Sequence, residues 1–111
     1  MAYDEELADR LRALLGGRPG LAEQKMFGGL AFLIGGNMAI AASGQGGILV
    51  RVDPAESDDL VATTSAEPME MRGRSMGGWL RLEAEDVTSD DQLRPWTARG
   101  LAYARSLPPK R

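Results

Sequence analysis

QKMFGGLAFLIGGNMAIAASGQGGILVRV, from Gln24 to Val52, reads as short strands joined by glycine turns. Leu30, Phe32 and Ile34 share one face, Met38, Ile40 and Ala42 the next, and Ile48, Val50 and Val52 the third. That period of two is the mark of a half-buried strand. Gly35-Gly36-Asn37 is a tight hairpin signal, and Ser43-Gly44-Gln45-Gly46-Gly47 a looser one. Parallel strands need crossovers of a dozen or more residues, and these connections are far shorter. The stretch is an antiparallel meander. Phe27-Gly28-Gly29 reads as a bulge or bend in its leading strand.

Outward from the meander, the helices announce themselves by their caps. Asp4 is a good N-cap, Glu5 and Glu6 suit the positive end of a helix dipole, and Leu7, Leu11, Leu14 and Leu15 form a stripe. Gly16-Gly17 and Pro19 end that helix. Asp53-Pro54-Ala55-Glu56 sets a cap, a proline at the first helical position and an acid where a capping box wants one. Leu60 and Val61 are the expected buried residues of this second helix. Glu67 to Met71 reads as an edge strand, because Pro68 has no N–H to give a ladder, and Trp79 to Leu82 alternates again. A last helix carries Leu93, Trp96, Gly100, Ala104 and Leu107 on one stripe. Proline is tolerated only in a first turn, so Pro95 places the start of that helix later than the Ser89–Asp91 cap signals. The expected order is α-β-β-β-α-β-β-α, an α+β two-layer sandwich with an antiparallel sheet and flanking helices on one face. Residues 1–111 form one domain, with no linker or shift of composition to divide them.

Composition removes much chemistry. The 111 residues contain no cysteine and no histidine. Disulfides, zinc–thiolate sites, cysteine nucleophiles and the commonest general base are therefore out. No run approaches the ~20 apolar residues of a membrane span, the first residues are acidic, and the expected location is the cytoplasm. A net charge of −3 argues against specific DNA binding. The charges are uneven, however: from Arg94 onward come Arg99, Arg105, Lys110 and Arg111 with no acid among them. A solvated helix face with a basic tail accounts for that.

Phosphate cradles need a strand, a glycine loop and then a helix N-terminus. Gly28-Gly29 and Gly44–Gly47 are followed by strands instead, so they read as turns. Glu83, Glu85 and Asp86, or Asp58 and Asp59, offer carboxylates for a magnesium or acid–base site, though surface solvation explains them as well. No cofactor is implied. Arg72 and Arg74, beside Met69, Met71, Met76 and Trp79, form the more interesting group, suited to a carboxylate, a phosphate or an acidic loop. If the two glycine-pair segments lie side by side, Lys25, Phe27, Gly28, Gly29, Arg72, Arg74 and Trp79 make one binding patch with a methionine floor.

The segments Lys25-Met-Phe-Gly-Gly-Leu-Ala-Phe, Gly36-Asn-Met38, Leu49-Val-Arg-Val, Pro68-Met-Glu-Met-Arg-Gly-Arg74, Met76-Gly-Gly-Trp79, Leu93 to Trp96 and Ser106-Leu-Pro-Pro-Lys110 occur in an order that resembles the N-terminal domain of the TfoX/Sxy family, bacterial competence regulators. The Met-Phe-Gly-Gly block is the specific part. The resemblance implies a secretion-chaperone-like α/β layer fold and a single-domain member, since the larger regulators carry a second, helical domain. Those regulators act as transcriptional co-activators, and the family brings no catalytic residues. The resemblance therefore implies a non-enzymatic regulatory or adaptor domain that works through a protein partner, with a homodimer left open. The alternative is a small-molecule or anion-binding domain centred on Arg72 and Arg74, with Lys25 or Arg51 assisting.

Overall fold

The computed structural model describes residues 3–26, 28–71 and 73–108. In chain order the elements are α1 (Glu5–Leu15), β1 (Leu21–Met26), β2 (Gly29–Ile34), β3 (Asn37–Ala42), β4 (Ile48–Arg51), α2 (Pro54–Thr63), β5 (Glu67–Met71), β6 (Arg74–Leu82), a 3-10 turn (Ala84–Asp86) and α3 (Asp90–Ser106). The strands form one six-stranded sheet in the order β1-β2-β3-β4-β6-β5, every neighbouring pair antiparallel. The α+β two-layer architecture is the expected one, with one strand more than the sequence reading. Leu21–Met26 pairs with β2 as a strand of its own, Met26 facing Gly29 across a hairpin in which Gly28 takes φ 77°. Where the sequence reads as one bent leading strand, the chain forms two paired strands, Leu21–Met26 and Gly29–Ile34. The new strand escapes a periodicity search because it lies at the sheet edge, with residues 22–25 exposed and no apolar alternation.

Capping behaves as its chemistry dictates. The Asp4 carboxylate accepts from the N–H groups of Glu6 and Leu7, and Leu7, Leu11 and Leu15 are buried while Leu14 is half-buried. Asp53 accepts from Ala55 N–H at 2.9 Å, which opens α2 with Pro54 in its first turn. Leu60 is buried and Val61 half-buried. At α3 the late start is corrected: the helix begins at Asp90, and Pro95 lies inside it. The Ser89 hydroxyl accepts from Gln92 N–H at 3.2 Å and the Gln92 side-chain oxygen accepts from Ser89 N–H at 3.1 Å, a reciprocal cap. Proline at 95 removes only the bond to the carbonyl of Asp91, an exposed residue whose carbonyl water can satisfy.

A one-residue slip sorts β3 between two faces. Phe32 pairs with Ile40, but Leu33 pairs with Met38, so Ala39 is the extra residue of a bulge. Ile40 and Ala42 join the core beneath the helices, whereas Met38 packs with Ala31, Leu33, Ala41 and Leu49 on the opposite face. The expectation that Met38, Ile40 and Ala42 share a face is corrected accordingly. At the bulge α3 comes down onto the sheet. Gly100 sits against the Ala39 carbonyl so closely that a Cβ there would collide with backbone. Leu11, Leu15, Phe32, Ile40, Ile48, Val50, Leu80 and Leu93 fill the layer between helices and sheet, and Trp96, 6% exposed, closes it. Leu107 caps α3 half-buried.

Candidate functional site

The glycine motifs that dominate the sequence have structural jobs. A Cβ on Gly29 would meet the Ala42 carbonyl, and one on Gly44 would lie 2.6 Å from the Gly28 carbonyl oxygen, so two backbones cross here with no room for side chains. Gly78 takes φ 84°; its N–H donates to the buried Ser57 hydroxyl at 2.8 Å and its carbonyl accepts from Val52 N–H at 2.8 Å. That clamp fixes α2 to β6.

The two glycine-pair segments do not lie side by side in the sheet. Lys25 is exposed on edge strand β1, and Arg74 is exposed at the start of β6, with β2, β3 and β4 between their strands. Phe27 and Arg72 lie outside the described residues. Gly28 and Gly29 serve the crossing with Gly44. Trp79 is half-buried on the helix-free face and stacks under a different arginine. The Arg51 guanidinium carbon lies 5.0 Å from the Trp79 ring centre and 5.5 Å from that of Tyr103. Cation–π attraction and stacking hold it in place.

Two other places collect the chemistry of recognition. Between α1 and α3 runs a groove of about 280 Å³ whose walls include Leu14, Leu101, Ala98 and Ala102, with Arg18, Arg94 and Arg105 at its sides. Among the described residues no carboxylate lines it. Arg94 meets Asp91 at 3.2 Å in a pair exposed on both sides, which water and salt weaken. On the helix-free face of the sheet lies a smaller cavity of about 110 Å³, reached by Met26, Met38 and Met69, with Arg81 at its edge. Arg81 donates to the Gln45 side-chain oxygen at 3.0 Å and lies 3.6 Å from Glu83.

Neither place reads easily from the sequence. The groove is visible only as the spacing 94, 98, 101–102 and 105 along one face of α3, and Arg18 carries no local signal at all. Arg81 is marked by alternation, lying between Leu80 and Leu82, which face the core. Of the carboxylates read as a catalytic option, Glu83 pairs with Arg81, while Asp58 and Asp59 are exposed. No group of three or more metal-ligating side chains that could hold an ion occurs among the described residues. The displaced acidity lies elsewhere: the Arg12 guanidinium donates to both oxygens of Glu23, which holds that carboxyl below its ordinary range and raises the arginine.

No described helix is long and apolar enough to cross a membrane. No curated protein is similar enough to this chain to count as a match. The family model for the TfoX N-terminal domain, by contrast, matches residues 13–104, which takes in the sheet, α2, most of α3, the cavity on the helix-free face and the groove apart from Arg105. The chain belongs to the TfoX N-terminal domain family.

Proposed function

We propose that this domain is a non-enzymatic regulatory or adaptor domain that works by binding a protein, and that the groove between α1 and α3 receives an acidic segment of that partner. The observation that carries the reading is the lining of the groove: three arginines around Leu14 and Leu101, with no acid among its described residues. Arginine forks orient carboxylates, and the apolar floor supplies affinity. A chain with neither histidine nor cysteine fits a binding role better than a catalytic one. The TfoX N-terminal domain is not a known enzyme family. A link to transcriptional or competence regulation, in the cytoplasm, is the extension that the larger regulators suggest.

The test is a fluorescence-anisotropy titration with a labelled acidic amphipathic peptide, a charge-reversed copy of it, and duplex DNA. The acidic peptide binds, the reversed copy does not, and the double variant Arg94→Glu, Arg105→Glu loses the binding while melting as the parent does. DNA attraction is weak and falls steeply as salt is added. Tight DNA binding at physiological salt, or peptide binding indifferent to the double variant, would overturn the proposal.

A further inference from the structure

We propose that the cavity on the helix-free face of the sheet is a binding site for a small, uncharged, ring-sized apolar molecule carrying one hydroxyl group. The register places Ala31, Ala41, Leu49 and Arg81 in one row across β2, β3, β4 and β6. Two alanines at the centre of that row leave space that larger residues would close. The space is a depression on the sheet that opens to solvent on one side, so a guest can enter without unfolding. Here the space measures about 110 Å³. Apolar cavities of about 150 Å³ admit benzene.

The walls can give way to a guest. Met26 comes from one edge strand and Met69 from the other, so the sheet curls until its two ends face the same cavity, with Met38 between them. Thioether side chains have several soft torsions and adapt to the shape against them. The rim supplies the polar end. Arg81 donates to Ser43, Gln45 and the Gly46 carbonyl, so its guanidinium holds the β3–β4 loop at the mouth. Glu70 also lines the mouth and makes no ion pair among the described residues. The Ser43 hydroxyl and the Gln45 side-chain oxygen, held at the same rim by Arg81, are the acceptors available to a hydroxyl. This site lies on the other side of the sheet from the α1–α3 groove, and either proposal can fail without the other.

The probe is phenol, titrated into protein labelled with ¹³C at the methionine methyl groups and followed by NMR. The methyl signals of Met26, Met38 and Met69 shift along one saturable curve. Toluene, which has the ring without the hydroxyl, binds several-fold more weakly. Ala41→Leu, which fills the cavity, abolishes the response; Ala31→Val is the second filling variant should the first fail to fold. The proposal is overturned if phenol moves no methionine signal saturably. It is also overturned if toluene binds as tightly, or if a folded filling variant responds as the parent does.

Discussion

Two neighbouring rows of the same sheet have been filled in opposite ways. Beneath the helices, Phe32, Ile40, Val50 and Leu80 stand side by side across β2, β3, β4 and β6, each no more than 1% exposed. One residue along each strand, on the other face, the row is Ala31, Ala41, Leu49 and Arg81. Large branched and aromatic side chains make the first row a packed core. Small residues, ringed by methionines and ended by a charge, make the second a hollow. Strand periodicity sends alternate residues to opposite faces, so a single stretch of chain can specify both. The packed row lies under the helices, and the row on the other face lines the cavity.

The largest effect expected from that division is on the helix side. Trp96→Ala should cost ~3–5 kcal/mol, because the ring is almost wholly buried and the hole cannot collapse against a rigid sheet. Urea unfolding checks it; a loss below ~1 kcal/mol would mean that α3 is not the lid of the core. Gly100→Ala comes next. Alanine gains roughly 1 kcal/mol of helix propensity over glycine. Its Cβ would strike the Ala39 carbonyl, and overpacking of this kind costs typically 1–3 kcal/mol, so the net change should be a loss. A stabilised Gly100→Ala protein would show that α3 can lift off the bulge freely.

The smallest effect belongs to the surface between α1 and β1. Arg12 donates to Glu23 and lowers its pKa in the folded chain. A carboxyl lowered by folding contributes stability that is present above its unfolded value, about pH 4.3, and disappears as the pH falls through its folded value. Glu23→Gln should therefore be slightly less stable than the parent at pH 7 and equal to it in strong acid, as read from unfolding curves across that range. A gap that persists at low pH would assign the loss to packing instead.

How much of this was legible in the sequence follows from which forces are local. Caps and turns are decided by neighbours in the chain, so Asp4, Asp53 and the glycine hairpins gave α1, α2 and the meander directly. β1 was not legible, because an edge strand with residues 22–25 exposed shows no period. The bulge at Ala39 was hidden by its surroundings: 38–42 are all apolar, and a slip within such a run changes no pattern. The Ser89–Asp91 cap signals did mark the true start of α3, and the rule against proline inside helices concealed it. The candidate sites were least legible. The groove joins Arg18 to residues some eighty positions later, and the cavity joins the two edges of a curled sheet, which no local signal specifies.

Ala41 and Ala42 are adjacent in β3 and belong to the two different faces, the first to the cluster around the cavity and the second, fully buried, to the core under the helices. Comparing the thermal unfolding of Ala41→Leu and Ala42→Leu asks directly whether those faces differ. Leucine at 42 has no space and should cost ~1–3 kcal/mol, a fall in Tm on the order of 4–8 °C per kcal/mol at this size. Leucine at 41 enters the hollow and should leave Tm unchanged or raise it. Equal losses from the two substitutions would contradict the division of the sheet into a packed face and an open one.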